Sequence, residues 1–177
     1  MSVGKQIDAQ VLNSWVSLVE TPTEDSSYFH LKVPDYVTCV GISTRGQVPL
    51  VKQNRFPLGR ESIELPGGLV DTEITPLECA KNELLEEVGI SETVLLHAFP
   101  PFILDSGRIE NQSWIFVFEI SENDSLISEP GIEVIWVGIP ELIEMALTAK
   151  IDHLGHIAAV MMCKQLKFFD KYLAESN

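Results

Sequence analysis

The sequence predicts a single α/β domain in which a mixed β-sheet carries helices on both faces and a small β extension precedes it. Three observations lead to this prediction. Strand patterns dominate the first half of the chain, a strongly capped helix interrupts them, and later strand patterns give way to helical ones. With 177 residues, 45% of them hydrophobic, the chain is long enough to bury a sizeable core. We place the extension at residues 1–35 and the main domain at residues 36–177.

Short β-rich segments, partly alternating in hydrophobicity, predict the strands. They lie at residues 11–18, 28–33, 36–43, 47–53, 63–65, 94–99, 114–120 and 134–137. The first two predict an N-terminal hairpin or meander, and residues 44–46 (TRG) predict a hairpin turn between the third and the fourth. Beyond the last strand, one helix is expected at about residues 140–148. Another, capped by Asp152, is expected to reach about residue 172.

The helix over residues 75–89 has the clearest boundaries. Thr75 is the expected N-cap, and Glu78 follows it at the spacing of a capping box. Pro76 falls at the first helical position, and Gly89 fits the C-terminal stop. The residues expected to form one buried stripe are Leu77, Ala80, Leu84 and Val88.

The C-terminal end of this helix gathers three carboxylates, on Glu83, Glu86 and Glu87. The helix macrodipole is negative there, and like charges four residues apart repel by a few tenths of a kcal/mol. Glu83 and Glu87 share one ridge beside the buried stripe, whereas Glu86 points further toward solvent. A bound divalent cation is the simplest compensation, because hard carboxylate oxygens suit it. A solvated acidic helix end is the alternative.

Residues 67–90, reading GGLVDTEITPLECAKNELLEEVGI, resemble the Nudix box of the Nudix hydrolases. That pattern is G-x5-E-x7-R-E-U-x-E-E-x-G-U, where U is a bulky aliphatic residue. The positions in register are Gly68, Glu83, Leu84, Glu86, Glu87, Gly89 and Ile90. Ile74 and Asn82 replace a glutamate and an arginine that commonly form a bracing ion pair in the family. Because both are replaced together, no charge is left without its partner. The resemblance implies a metal site and leaves efficient turnover open.

The flanking segments resemble the ADP-ribose pyrophosphatase branch, which reads Q-x-R and then E-L-P-x-G before the box. Residues 50–71, LVKQNRFPLGRESIELPGGLVD, carry both elements, and residues 105–111 and 131–157 also fit. The resemblance covers about residues 11–162 and implies a Nudix α/β/α sandwich. It also implies a homodimer, for which the β-rich N-terminus offers a surface. Tyr28 and Phe29 are candidates there to stack on an adenine.

The resemblance and the residue chemistry together assign a metal site. Glu83 and Glu87 are the expected ligands of Mg²⁺, with Mn²⁺ as a substitute. Glu86 is expected to bind directly or to act through water, and so to take part in catalysis. By resemblance, the Gly67 carbonyl is a further ligand.

Substrate contacts and the general base are expected outside the box. Arg55 and Arg108 are candidates to grip phosphate oxygens, with ordinary surface ion pairs as the alternative. Glu64 orients Arg55 or reaches a metal, or simply faces outward on a short strand. In the branch, the general base lies in a loop before the late strand, where Glu129 is preferred to Glu133. The alternatives are that neither acts, or that a metal-bound hydroxide suffices.

Three functional interpretations follow. The first is a metal-dependent pyrophosphohydrolase of a nucleoside diphosphate sugar such as ADP-ribose, releasing a nucleoside monophosphate and a sugar phosphate. The second is a non-catalytic nucleotide-binding or regulatory module, which the changes at Ile74 and Asn82 favour. The third is a hydrolase of a nucleoside triphosphate or a dinucleoside polyphosphate.

The composition argues against other partners and sites. The net charge is −14 and no Lys/Arg cluster appears, which disfavours nucleic acid and anionic membranes as partners. Three scattered cysteines form neither a disulfide framework nor a zinc cluster. His97, His153 and His156 lack metal-ligand spacing, which favours packing or capping roles. Without a membrane-length apolar run or a signal-peptide pattern, a cytoplasmic location is expected.

Overall fold

The computed structural model describes residues 9–11, 13, 15–121 and 129–174. The strands within these ranges are β1 (Ala9–Val11), β2 (Ser17–Pro22), β3 (Ser27–Lys32), β4 (Tyr36–Ser43), β5 (Gln47–Arg55), β6 (Arg60–Glu64), β7 (Thr93–Ala98), β8 (Ile109–Glu110), β9 (Ser113–Ile120) and β10 (Glu133–Gly138). The helices are α1 (Pro76–Val88), α2 (Ile139–Leu147), α3 (Leu154–Gln165) and α4 (Asp170–Ala174). No helix in the described part of the chain is both long and apolar enough to cross a membrane.

Two three-stranded sheets form the centre of the main domain. One has the order β4-β9-β7, in which β4 and β9 are parallel while β9 and β7 are antiparallel. The other has the order β10-β5-β6 and is antiparallel throughout. Helix α1 packs on one side of the sheets, and α2 and α3 pack on the other. The predicted α/β class, with mixed strands between helices, is confirmed.

Strand β4 shows how the sheets serve two cores at once. Its residues alternate between faces, as strand geometry requires. Val37 and Cys39 join the apolar cluster beneath α1, whereas Val40 and Ile42 join the cluster beneath α2 and α3. Burial on both faces explains why β4 reads as an almost continuous apolar run. The turn before α1 therefore packs against a strand that is buried on both faces.

The N-terminal segment forms a separate sheet. β1, β2 and β3 pair antiparallel, which confirms the predicted meander. The predicted first strand is misplaced, because Asn13 Oδ1 accepts the N–H groups of Trp15 and Val16 and makes a bend there. The two-residue β8 joins β3 in parallel and is too short to leave a sequence pattern.

Two predicted connections are wrong. The turn before β5 is present, with Gly46 at φ 73°, but β4 pairs with β9 and β5 pairs with β6 and β10. The turn therefore joins two sheets and is not a hairpin. The long last helix is divided, because Lys167 adopts a left-handed φ of 63° between α3 and α4. His153, and not Asp152, occupies the N-cap position of α3, without a side-chain bond to the helix.

Candidate active site

Helix α1 begins and ends where its sequence predicts. Thr75 Oγ1 accepts the N–H of Glu78 at 3.2 Å, and the Glu78 carboxylate accepts the N–H of Thr75 at 2.9 Å. Gly89, at φ 74°, closes the helix. These local signals fix the ends of the helix, and packing of Ala80, Leu84 and Val88 against the sheet sets its rotation, so that Glu87 is buried while Glu86 faces solvent.

The glycine turn before α1 packs tightly on β4. The N–H of Val37 donates to the Gly68 carbonyl at 2.9 Å, and the N–H of Gly68 donates to the Val37 carbonyl at 3.2 Å. A Cβ on Gly67 would lie 2.1 Å from the Val37 carbonyl oxygen. A Cβ on Gly68 would lie 2.1 Å from Glu83 Oε1. Glycine is therefore required at position 67, where the clash is with backbone, whereas a side chain at position 68 would displace the Glu83 carboxylate that lies directly beside the turn.

Glu83 and Glu87 form a desolvated acidic pair. Glu87 is 5% exposed, and its Oε2 accepts the N–H of Gly67 at 2.9 Å. Burial, followed by repulsion from Glu86 and Glu129, raises the pKa of Glu83 to about 7. Burial outweighs the Gly67 hydrogen bond and, with repulsion from Glu83, raises the pKa of Glu87 to about 8. Such perturbed carboxylates are typical of functional sites.

Arg55 and Glu64 form a bidentate ion pair next to these carboxylates. Arg55 Nε donates to Glu64 Oε1 at 2.8 Å, and Nη2 donates to Oε2 at 2.6 Å. Glu64 is 4% exposed, so it does not face outward from its strand. Burial raises the pKa of Glu64, but the hydrogen bonds and charge of Arg55 outweigh burial and lower it overall. The Arg55 charge also acts to lower the pKa of Glu87, so the Arg55–Glu64 pair is electrostatically coupled to the acidic pair.

The loop before β10 reaches the C-terminal end of α1. The backbone N–H of Glu129 donates to the Glu86 carbonyl at 3.0 Å, and the exposed Glu129 side chain adds to the repulsion at Glu83 and Glu87. Glu133, by contrast, pairs with Lys52 across the β5–β10 ladder at 3.3 Å. Of the two base candidates, Glu129 is thus the one beside the acidic pair.

Arg108 lies apart from the acidic pair. It lines a cavity of about 650 Å³ between β3 and the segment before β9. The lining residues are Tyr28, His30, Lys32, Val33, Asp35, Ile103, Ser106, Gly107, Arg108, Ile109, Glu110, Asn111 and Gln112. Asp35, one of these lining residues, accepts the N–H of Val70, two residues beyond the glycine turn, at 2.8 Å. Arg60, another cationic side chain near β6, is paired with Asp152.

Sequence reasoning missed a cluster of three rings behind the glycine turn. The Tyr36 hydroxyl donates to the Gly67 carbonyl at 3.0 Å. The Tyr36 ring lies 6.4 Å, between centroids, from the rings of both His153 and His156. His156 Nδ1 accepts the N–H of Leu65 at 3.2 Å. The histidines have the predicted packing roles, but they pack against the site.

The donor set fits a hard divalent cation in its chemistry. It offers carboxylate oxygens and a backbone carbonyl, which Mg²⁺ and Mn²⁺ prefer. The Gly68 position, which any Cβ would fill, keeps space at Glu83. Within the described residues, no three His, Cys, Asp or Glu side chains converge as a preformed metal cluster. Glu87 is turned to the Gly67 N–H and Glu86 to solvent, so the carboxylates would have to draw together around a bound cation.

Comparison with known protein families gives a match that covers most of the chain. The model of the NUDIX domain matches residues 32–159. The chain belongs to the NUDIX domain family. The family consists of hydrolases that act on small-molecule nucleotides and generally use divalent metal ions. The acidic pair of this NUDIX protein lies within the matched residues.

Two relatives are similar to this NUDIX chain. The ADP-ribose pyrophosphatase of Bacillus subtilis (strain 168) is 26% identical over 141 residues, which cover 77% of this chain and 76% of the bacterial protein. A Caenorhabditis elegans protein named "Putative nudix hydrolase 2" is 35% identical over 99 residues, covering 51% of this chain and 44% of the worm protein. These likenesses support a general Nudix pyrophosphohydrolase.

Proposed function

We propose that this protein is a metal-dependent pyrophosphohydrolase that cleaves the diphosphate of a nucleoside diphosphate sugar, such as ADP-ribose. The products would be a nucleoside monophosphate and a sugar phosphate. The observation that carries the proposal is the desolvated pair Glu83 and Glu87 beside the tightly packed turn of Gly67 and Gly68. A divalent cation removes the electrostatic cost of that pair, and the similarity to an ADP-ribose pyrophosphatase supports the substrate class.

In this proposal, Glu83, Glu86, Glu87 and the Gly67 carbonyl hold Mg²⁺, or Mn²⁺ in its place. The metal supplies charge neutralisation at the phosphate oxygens and makes water a better nucleophile. The protein then has to orient the water and accept its proton. Glu129 is the proposed acceptor, because its loop is bonded to the C-terminal end of α1.

Arg55 is proposed to bind a phosphate of the substrate. Its Nε and Nη2 atoms donate hydrogen bonds to Glu64, and these two bonds fix the orientation of the guanidinium. Nη1 is then the proposed donor to a phosphate oxygen. Glu64 then acts by orienting Arg55. Arg108 is proposed to contact the part of the substrate further from the metals, in the cavity that it lines with Tyr28. That cavity is within the size range of ligand pockets.

We also propose that the protein acts as a homodimer through its N-terminal sheet. Phe29 and Leu31 are exposed apolar side chains on one face of β3. Exposed apolar side chains that share a sheet face are typical of interaction surfaces.

A non-catalytic nucleotide-binding module is the second candidate function. Ile74 and Asn82 stand where the family commonly has its bracing ion pair, and Ile74 packs against the apolar cluster beneath α1. In that case the site would bind nucleotides without turning them over. Hydrolysis of a nucleoside triphosphate or a dinucleoside polyphosphate is a third candidate, for which only the family membership argues.

A panel of ADP-ribose, other nucleoside diphosphate sugars, nucleoside triphosphates and dinucleoside polyphosphates, with Mg²⁺ or Mn²⁺, separates the three. We expect metal-dependent release of AMP from ADP-ribose, lost in Glu83→Gln and in Glu87→Gln. Glu92→Gln is the matched control, because Glu92 is an exposed glutamate just beyond α1. Tight nucleotide binding without product from any compound would favour the binding module. Turnover confined to triphosphates or dinucleoside polyphosphates would favour the third candidate.

A further inference from the structure

Gly67 is bonded differently from its neighbours in the turn. The residues before and after Gly67 are hydrogen-bonded to the backbone of β4. The Cys39 N–H donates to the Pro66 carbonyl at 2.8 Å, and Val37 bonds both the N–H and the carbonyl of Gly68. The alternation of a strand-like pairing directs the two polar groups of Gly67 away from β4 and toward the site. Glu87 accepts its N–H, and the hydroxyl of Tyr36 donates to its carbonyl.

The ring of Tyr36 is supported from α3. Its centroid lies 6.4 Å from those of His153 and His156, with interplanar angles of 24° and 23°. The two histidine rings lie 4.1 Å apart. His156 also accepts the N–H of Leu65, two residues before Gly67. The first turn of α3 thus contacts both Leu65, just before the glycine turn, and the Tyr36 ring, whose hydroxyl bonds the Gly67 carbonyl.

The histidine pair carries a cost that packing alone does not explain. His156 is fully buried, and burial lowers its pKa to about 3, so the ring is neutral. Because Nδ1 accepts the Leu65 N–H, the ring proton sits on Nε2. That atom is buried without a hydrogen-bond partner in the described structure, which carries an energetic cost. A buried polar group kept at such a cost is typical of a functional constraint.

We propose that Tyr36 is a positioning residue for the cation site: its hydroxyl fixes the direction of the Gly67 carbonyl, and the His153–His156 ring pair fixes Tyr36. The inference rests on the proposed function, in which that carbonyl is a metal ligand. A carbonyl oxygen has two lone pairs, so while one accepts the hydrogen bond of the Tyr36 hydroxyl, the other would remain for a cation. Holding a ligand through a neighbouring hydrogen bond raises metal affinity, and its loss typically costs about 10–100-fold.

Tyr36→Phe tests the inference, because it removes the hydroxyl and keeps the ring on the histidines. We expect Mn²⁺ affinity, measured by calorimetry, to fall about tenfold. In the metal-free protein, we expect hydrogen exchange of the Gly67 amide to accelerate at unchanged Tm. His156→Asn keeps an acceptor for the Leu65 N–H and removes the ring, so it is expected to weaken Mn²⁺ binding as well. Tyr172→Phe is the matched control, since the Tyr172 hydroxyl bonds Glu119 at 2.7 Å on another part of the fold.

The outcomes separate this inference from the function on which it rests. Mn²⁺ affinity and Gly67 exchange that are unchanged in Tyr36→Phe would overturn the inference and leave the metal-dependent hydrolase intact. A wild-type protein that binds no Mn²⁺ would overturn the proposed function, and the inference with it. Equal losses in Tyr36→Phe and Tyr172→Phe would mean a general loss of stability and would also overturn it.

Discussion

Glu83 and Glu87 hold their protons more tightly in the folded chain than in the unfolded one. Their ordinary pKa is 4.5, and burial, with repulsion from neighbouring glutamates, raises the folded values to about 7 for Glu83 and about 8 for Glu87. Their contribution to stability is therefore fully present below about pH 4.5 and is lost as the pH rises through those folded values. Above about pH 8, the metal-free protein thus bears the cost of two charged, desolvated carboxylates.

Replacing Glu87 by Gln removes one of these charges. Without metal at about pH 8, we expect Glu87→Gln to melt above the wild type by about 2–4 °C, the change that 1 kcal/mol causes in a domain of this size. At about pH 4 the two should melt close together, because the wild-type carboxyl is then largely protonated in both the folded and the unfolded chain. Scanning calorimetry across this pH range makes the measurement. Added Mg²⁺ should raise the Tm of the wild type only, and a variant less stable than wild type at both pH values would contradict the argument.

Glu64 makes the opposite electrostatic contribution, because its charge is compensated by Arg55. We expect Glu64→Gln to lower the free energy of unfolding by about 1.5–3 kcal/mol, the usual cost of losing hydrogen bonds to a charged group. The measurement is urea denaturation near neutral pH. Glu61→Gln is the control on the same strand, since Glu61 is exposed and pairs with Lys52 at the surface. That change is expected to cost less than about 1 kcal/mol, and equal costs for the two variants would disprove a structural role of the Arg55 pair.

The site residues differ in how far their partners lie along the chain. Gly67, Glu83 and Glu87 belong to one continuous segment: helix periodicity predicts the proximity of Glu83 and Glu87, and the resemblance to the Nudix box implies that Gly67 joins them. Tyr36 lies 31 residues from Gly67, and His156 lies 91 residues from Leu65. Those contacts depend on how β4 and α3 pack, and a strand-initial tyrosine has no local pattern that distinguishes it from a core residue.

At the scale of elements, helix α1 was predictable because every signal that bounds it is local. The capping box and the closing glycine each act within a few residues. The connection from β4 to β5 was not predictable in the same way. A tight turn between two apolar segments is typical of a hairpin, but β4 buries both faces and finds its partner in β9, more than 70 residues later. The αL residue that ends α3 is Lys167, which carries no helix-stop signal.

The chain departs from the Nudix box at two positions, Ile74 just before α1 and Asn82 in the middle of that helix. Ile74 is half-buried against the apolar cluster beneath α1, whereas Asn82 is exposed. The double change Ile74→Glu with Asn82→Arg restores the bracing pair but places a carboxylate among apolar side chains. We expect it to lower the free energy of unfolding by about 1–3 kcal/mol, from the lost burial of the isoleucine. We expect its metal-dependent turnover to stay within about twofold of wild type, because the apolar contact already anchors the helix.

Urea denaturation and ADP-ribose turnover measure the two effects of this double change. Asn82→Arg alone is the control, as an exposed helical position tolerates arginine at almost no cost in stability. A gain in turnover of tenfold or more would show that the missing brace limits catalysis. That result would favour an impaired or non-catalytic role for the natural chain.

At the scale of the whole molecule, the candidate site lies where four parts of the fold meet. These are the start of β4, the end of β6, the C-terminal half of α1 and the loop before β10, which contribute Tyr36, Glu64, Glu87 and Glu129 respectively. Strands β4 and β6 belong to different sheets, so the site requires both sheets to be in place. Strand order is a long-range property, which explains why the sequence predicts the elements of the site better than their assembly.

The N-terminal sheet provides the last test, which concerns assembly. Phe29, 48% exposed, and Leu31 lie on the face of β3 opposite to Tyr28 and His30, which line the Arg108 cavity. If this apolar face joins two copies, Phe29→Glu buries a charge in the interface and should shift the protein from dimer to monomer in sedimentation velocity. Phe56→Glu is the control, because Phe56 is 92% exposed at the β5–β6 tip and should leave the dimer unchanged. A wild-type protein that sediments as a monomer at all accessible concentrations would exclude the dimer, and a dimer unaffected by Phe29→Glu would place its interface elsewhere.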